Sequence, residues 1–295
     1  MKLSILIPAY HEPYLGKTIE SVLEKAEEDI EIIPILDGWT PDYKLPDDKR
    51  IKPIYLSQNK GKRNALNIGL MNSSGKFIME LDAHCIVDQG FDKTLLSSIE
   101  DNWLVVPRRY SLDPQKWIKD DSRGIIDYHY LSFPIQNSWG LGFYARQWDT
   151  LTRDKTDKKF DIDDTMTIQA SSWIANKNYF IKHIYPLDDT NYGPLAQDQQ
   201  ELVLKYWLKG GEVKVNKKTS YAHVAKRWYH YSQKVFSRLH KKDNVYINGN
   251  TWGTIHWLKN EEPNLSHKFE WLIEKFSPVP EWDQDWKEKI NLIYK

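Results

Sequence analysis

The first third of the sequence alternates short apolar segments with helical patterns, and this alternation restricts the fold more than any other feature. The apolar segments are rich in leucine and β-branched residues and end at a proline or a polar residue, as buried strands do. Strands are expected at 3–8, 30–36, 52–56 and 76–81, and helices at 15–26 and across 65–70. The order strand, helix, strand, strand, helix, strand predicts an α/β fold with a mostly parallel central sheet flanked by helices.

The middle of the chain is less regular. Residues 107–165 predict long loops over a site, or a small antiparallel region. A strand is expected at 167–175, a helix at 198–208 that ends at Gly210-Gly211, and a short strand at 213–215.

Polar and charged residues follow the predicted strands at their carboxyl ends. In open α/β sheets, ligands bind at this edge. The residues concerned are Tyr10, Glu12, Asp37, Lys62, Arg63, Asp82 and His84. The functional site is therefore expected here.

Asp82 and His84 are separated by one residue at the end of a strand, so an extended backbone points both side chains to the same side. A carboxylate and an imidazole that face one point can bind a divalent metal such as Mn²⁺. A third ligand is needed, and His223, which follows the last predicted strand, is the candidate. The alternative is a surface aspartate beside unrelated structural histidines.

Several segments resemble motifs of the family 2 nucleotide-sugar glycosyltransferases, which have the GT-A fold. They are SILIPAYHE at 4–12, DGWT at 37–40, NKGKRNALN at 59–67 and LDAHC at 81–85. The Asp-x-His of the last segment is similar to the metal motif of polypeptide N-acetylgalactosaminyltransferases. Those enzymes complete the metal site with a later histidine, to which HVAK at 223–226 is similar, and DQQE at 198–201 resembles their acidic helix start.

The resemblance covers about residues 1–230 and implies a GT-A domain there. Within it, 1–90 would be the nucleotide-binding half and 91–230 the acceptor half. Residues 231–295, which contain five tryptophans from Trp252 onward, would form a helical C-terminal extension that packs on this domain or caps the acceptor site.

The same resemblance implies a metal-dependent enzyme that moves a sugar from a nucleotide-sugar donor, first of all a UDP-sugar, to an acceptor hydroxyl. The implied donor-binding residues are Pro8, Ala9, Tyr10, Glu12, Asp37, Lys62, Arg63, Asp82 and Ala83. The metal, Mn²⁺ or alternatively Mg²⁺, would be held by Asp82, His84 and His223. The catalytic candidates are Asp198 as general base and Glu201 as its support, and the sugar-pocket candidates are Ser171, Ser172 and Trp173.

Two departures from the family pattern leave details open. Leu36-Asp37 stands where many members have paired aspartates, and Trp39 replaces a usual serine, so base recognition is open. Gln197-Asp198 replaces a usual Glu-Asp pair, so the sequence leaves open whether the transfer inverts or retains the anomeric configuration of the sugar. Asp198 is also expected as a helix N-cap.

The formal net charge is zero, but basic residues are concentrated between 205 and 244. This stretch holds eleven Lys or Arg against Glu212 and Asp243, with aromatic residues between them. Such a surface suits a polyanion, and its candidate residues are Lys226, Arg227, Lys234 and Arg238. The acceptor is thus open between a saccharide, a protein and a hydroxymethylated base in DNA, and peripheral contact with an anionic membrane also fits.

Two other functions remain alternatives: a nucleotidyltransferase with a similar sheet and metal, and a non-catalytic protein that binds nucleic acid or carbohydrate. The single cysteine, Cys85, excludes an intrachain disulfide and a zinc site made of cysteines. The apolar run at the N-terminus is too short for a signal peptide, and no run is long enough for a transmembrane helix. A cytoplasmic location is the simplest expectation.

Overall fold

The computed structural model describes residues 2–224 and 245–293. The strands in the N-terminal part are β1 (Leu3–Ala9), β2 (Ile30–Asp37), β3 (Ile54–Leu56), β4 (Phe77–Leu81), β5 (Cys85–Val87), β6 (Trp103–Asp113) and β7 (Ile118–Asp120). The later strands are β8 (His129–Leu131), β9 (Ile135–Asn137), β10 (Gly140–Gly142), β11 (Ala145–Gln147), β12 (Ile162–Asp164), β13 (Ser172–Asn176) and β14 (Glu212–His223).

Helices flank these strands. Within the described residues they are α1 (Leu15–Lys25), α2 (Lys62–Met71), α3 (Phe91–Leu96), α4 (Asp149–Asp154), α5 (Lys177–His183), α6 (Asp198–Leu208), α7 (Val245–Leu258), α8 (Phe269–Phe276) and α9 (Trp286–Ile293), with 3₁₀ turns at Asp121–Arg123 and Lys158–Phe160.

Ten strands form one sheet, in the order β12-β14-β6-β13-β4-β1-β2-β3, with β5 beside β14 and β7 beside β6. The pairs β1–β2, β1–β4, β2–β3 and β6–β14 are parallel. The strand β13 lies antiparallel between β4 and β6 and joins the two parallel parts. The sheet is therefore mixed, not mostly parallel.

The core lies on both faces of this sheet. Alternate residues of β1 enter different layers: Ile5 and Ile7 pack with Leu15 and Ile19 of α1, whereas Leu6 packs on the opposite side with residues of α2 and α6. Burial on both faces explains why the first strands read as continuous apolar runs. The α/β fold with a central sheet and flanking helices is confirmed.

Two predicted strands differ from the observed ones. The strand expected at 167–175 begins only at Ser172, because the preceding residues turn over the carboxyl end of β4, where the Ser171 carbonyl accepts the Asp82 N–H at 3.0 Å. The strand expected at 213–215 continues to His223, because its pairing with β6 resumes after an irregularity between Asn216 and Ser220. The helix expected at 198–208 has the observed bounds.

Residues 245–293 contain three helices and pack against residues 2–224. Trp257 of α7 is fully buried and donates from Nε1 to the Tyr192 hydroxyl at 2.6 Å. Trp282 donates from Nε1 to the Leu131 carbonyl at 2.7 Å. Within residues 2–224 and 245–293, no helix has both the length and the apolar character that crossing a membrane requires.

Candidate active site

A cavity of about 560 Å³ lies at the carboxyl ends of β1 and β4, under α6 and α7. Its size is typical of a site for a small molecule or cofactor. Many of the residues singled out in the sequence line it: Pro8, Ala9, Tyr10, Glu12, Asp37, Lys62, Asp82, Ala83, His84, Ser171, Asp198 and His223. The edge of the sheet expected to hold the site is thus the edge where the cavity lies.

Asp82, His84 and His223 meet in the wall of this cavity. One ligand atom from each lies within 4.8 Å of the others. Nε2 of His223 is 3.2 Å from Oδ2 of Asp82, and Nε2 of His84 is 3.9 Å from the same oxygen. One carboxylate and two imidazoles are a donor set that suits Mn²⁺ or Zn²⁺, so these residues fit a divalent metal.

Strand pairing explains how residues 141 positions apart come together. The end of β14 runs antiparallel to β5, with His223 opposite Cys85. The Val224 N–H donates to the His84 carbonyl at 3.1 Å, and the Cys85 N–H donates to Oγ1 of Thr18 at 3.0 Å. The turn that carries Asp82 and His84 is therefore fixed to two neighbouring elements.

The outer nitrogens of both imidazoles face charged side chains. Nδ1 of His84 lies 3.2 Å from Oε2 of Glu12, which is buried. The two atoms are at ion-pair distance without hydrogen-bond geometry, and a carboxylate on this side of the ring favours the other nitrogen, Nε2, as the metal ligand. Nδ1 of His223 lies 3.2 Å from Nη2 of Arg109. With Arg109 donating there, the ring hydrogen is on Nε2 and faces Asp82, so use of Nε2 as a ligand requires Arg109 to turn away.

The charge states of the cluster suit metal ligation. Burial lowers the pKa of His223 to about 4, so its ring is neutral near pH 7. Burial alone raises the pKa of Asp82, but the Lys62 ammonium and the hydrogen bond with His223 outweigh it and hold the pKa well below its usual range. A neutral imidazole and an ionised carboxylate are the ligand forms.

Lys62 contacts three acidic side chains at the wall of the cavity. Its Nζ lies 3.1 Å from Asp82, 3.1 Å from Glu80 and 3.7 Å from Asp198, and it donates to the Ala170 carbonyl at 2.6 Å. Burial raises the pKa of the Glu80 carboxyl well above its usual range. The ammonium therefore fixes the metal-side carboxylate relative to Asp198.

Arg63 and Glu201 do not line the cavity. Both are fully buried behind its wall, with Nε of Arg63 2.7 Å from Oε2 of Glu201. Arg63 also donates to the carbonyls of Gly193 and Ala196. The pair thus fixes the segment that leads into α6.

Asp37 organises the loop before α2. Its carboxylate accepts the backbone N–H groups of Lys60 and Gly61 at 2.8 Å each and Nδ2 of Asn59 at 2.9 Å. Burial raises the pKa of Asp37 in spite of these donors. Gly61 has φ +90, and a Cβ there would lie 2.2 Å from Cβ of Pro194, so this turn requires glycine.

Comparison with known proteins identifies the family. Residues 4–160, just over half of the chain, match the model of glycosyl transferase family 2. The chain belongs to this family. An uncharacterized glycosyltransferase of Haemophilus influenzae is 36% identical over 107 residues, which are 34% of this chain and 33% of that protein. The match thus spans about one third of that relative.

Solved structures show the same fold for this family 2 glycosyltransferase. GalNAc-T7 with UDP, GalNAc and Mn²⁺ has a TM-score of 0.63 at 16% identity and covers 94% of this chain and 56% of that one. S. aureus TarS 1-349 with UDP-GlcNAc has a TM-score of 0.50 at 14% identity, covering 79% and 61%. The GT-A fold expected from the sequence motifs is confirmed.

Ser172 and Trp173, predicted for the sugar pocket, do not line the cavity. Ser172 and Trp173 belong to β13, and Trp173 stacks on Phe180 in the core, with ring centroids 5.4 Å apart. Asp198 is the first residue of α6, not its N-cap, which is Gln197 in a left-handed conformation. The polyanion candidates Lys226, Arg227, Lys234 and Arg238 lie outside the described residues.

Sequence reasoning did not propose several residues that line the cavity. They include Arg109, Tyr144, Tyr246 and Asn250. Burial, followed by the charge of the Asp198 carboxylate, raises the pKa of Tyr246 to about 12. The last two residues come from α7, and no motif of the sequence marks them.

Proposed function

We propose that this chain transfers a sugar from a nucleoside diphosphate sugar, a UDP-sugar first of all, to a hydroxyl of an acceptor. The observation that carries the proposal is the meeting of Asp82, His84 and His223 within 4.8 Å in the wall of a 560 Å³ cavity. Family membership supports nucleotide-sugar chemistry, and the relatives of known fold include complexes with UDP, UDP-GlcNAc and Mn²⁺.

The residues of the cavity suggest a division of tasks. Asp37 and the loop that it organises lie at the end of β2 and suit the nucleoside, while Pro8, Ala9 and Tyr10 provide a turn and an aromatic face. Asp82, His84 and His223 would hold a divalent cation. When bound, the cation supplies positive charge to the diphosphate as the glycosidic bond breaks.

Asp198 is the proposed general base. Its carboxylate lines the cavity and is tied through Lys62 to Asp82, so it lies beside the proposed position of the donor phosphates. A carboxylate at this point can accept the proton of an acceptor hydroxyl as that oxygen attacks the sugar. The base role applies to an inverting reaction. Glu201 is proposed to act only through Arg63 and the segment before α6.

The test is donor turnover by the purified chain. A panel of UDP-, GDP- and TDP-sugars is incubated with Mn²⁺ or with EDTA, and the nucleotide released is quantified. We expect release of a nucleoside diphosphate that EDTA abolishes, and loss of release in His223→Gln. The matched control is His183→Gln, since His183 stacks on Tyr179 outside the cavity. Release of pyrophosphate would indicate a nucleotidyltransferase, and binding without any turnover a non-catalytic protein.

A further inference from the structure

Arg109 lies in β6 beside the proposed metal site and is only 8% exposed. Its guanidinium lines the cavity, with Nη2 3.2 Å from Nδ1 of His223. The positive charge of Arg109 acts to lower the pKa of three further neighbours, His129, Tyr221 and Cys85. Burial and the charge of Arg109 lower the pKa of His129 to about 3, so this neighbour is neutral near pH 7.

Arg109 is a buried cation without an anionic partner among residues 2–224 and 245–293. No carboxylate of these residues forms an ion pair with it, and its Nε has no hydrogen-bond partner among them. Residues 225–244, which lie outside the described part of the chain, contain one acidic residue, Asp243. Buried charges in proteins are normally paired, since desolvation of an isolated ion costs several kcal/mol.

Two other arginines, Arg108, which is partly exposed, and Arg63, which is fully buried, each pair with a carboxylate. Arg108, the preceding residue of β6, points to the opposite side of the strand and forms two bonds with Asp127, at 2.7 and 2.9 Å. Arg63 pairs with Glu201 at 2.7 Å. Arg109 differs from both because no carboxylate of the described residues pairs with it and its side chain lines the cavity, where a ligand can supply the negative charge.

We infer that Arg109 binds the diphosphate of the nucleotide donor and stabilises the charge that develops on the leaving group. The inference rests on the proposed function. An arginine can donate two N–H groups to phosphate oxygens at once, and such charge-assisted bonds are about twice as strong as neutral ones. The location beside His223 favours the donor diphosphate over an anionic group of the acceptor, because the metal proposed there would hold the same phosphates.

Calorimetric titration with UDP and with uridine, in Mn²⁺ and separately in EDTA, tests this inference. In Arg109→Met we expect UDP affinity to fall by about 10- to 100-fold in both conditions, with uridine affinity unchanged. Arg109→Lys keeps the charge but not the two-donor geometry, so it should restore affinity only in part. The thermal midpoint of Arg109→Met should not fall, because no ion pair among the described residues is broken.

Arg108→Met is the matched control, since it removes the same side chain one residue earlier. It should leave UDP affinity unchanged and lower the thermal midpoint, because Asp127, which is 4% exposed, loses its partner. Equal UDP affinity in wild type and Arg109→Met would overturn the inference alone. If Arg109→Met raised only the KM for an anionic acceptor and left UDP affinity unchanged, that result would also overturn the inference. Wild-type protein that binds none of UDP, GDP, ADP or CDP would overturn the proposed function as well.

Discussion

The ammonium of Lys62 lies 3.7 Å from the carboxylate of Asp198, and this contact connects the proposed base to the proposed metal site. The same Nζ is 3.1 Å from both Asp82 and Glu80. The buried Arg63 follows Lys62 directly in the chain. The start of α2 therefore supplies two cations, one that contacts Glu80 of β4 and one that pairs with Glu201 of α6. Because Lys62 is already used by three carboxylates, we expect it to position residues and not to bind phosphate directly.

Substitution of Lys62 by methionine should therefore destabilise the fold and abolish transfer. Removal of the ammonium leaves the Asp82 carboxylate without its cation, and loss of one partner of a buried pair costs about 3 kcal/mol. Urea denaturation measures the free energy of unfolding. The control is Lys60→Met, whose side chain is exposed and which should change stability by about 0.5 kcal/mol or less. Equal stabilities of the two variants would contradict the positioning role.

Glu12→Gln should weaken metal binding without removing a ligand. Oε2 of Glu12 lies 3.2 Å from Nδ1 of His84, and loss of a carboxylate that supports a ligating histidine changes metal affinity by about 10- to 100-fold. Titration with Mn²⁺, followed by electron paramagnetic resonance of the free ion, measures the affinity. Glu20→Gln, an exposed residue of α1, is the control and should bind like wild type. Unchanged affinity in Glu12→Gln would show that His84 needs no such support or is not a ligand.

Asp198→Asn and Glu201→Gln should separate catalysis from structure. Asp198 is partly exposed, so its loss should cost little stability, whereas loss of a general base lowers kcat by about 10²- to 10⁴-fold. Glu201→Gln removes the partner of the fully buried Arg63 and should cost about 3 kcal/mol of stability. Measurement of kcat at saturating donor, together with urea denaturation, gives both quantities. If Asp198→Asn lowered only the stability and Glu201→Gln lowered only kcat, the two proposed roles would have to be exchanged.

The sequence predicts the lining of the cavity where the place of a residue follows from its position along a strand. Asp37, Asp82 and His84 lie at carboxyl ends of strands, and the topology then brings them to one cavity. His223 needed the resemblance to a family, because no local pattern reveals that β14 ends opposite β5.

Other residues could not be assigned because their roles depend on distant partners. Arg108 and Arg109 are identical in type and adjacent, and only the orientation of β6 in the folded sheet sends one to Asp127 and the other to the cavity. The motif at 59–67 predicts that Arg63 binds the donor, whereas in the folded chain it pairs with Glu201, 138 residues away, and no local pattern reveals this partner. Tyr246 and Asn250 reach the cavity only through the packing of α7 on β10, between segments with no shared motif.

Stability should fall as the pH falls below about 6.5, and His129 should account for part of the loss. Burial, with the charge of Arg109, lowers the pKa of His129 to about 3 in the folded state, so only the unfolded state binds the proton between pH 6.5 and 3. This residue alone should cost about 2 kcal/mol between pH 7 and pH 5. Urea denaturation of wild type and His129→Gln across this range tests the claim, since the wild-type free energy should have the steeper dependence on pH. Parallel curves would mean that His129 is not kept neutral by the fold.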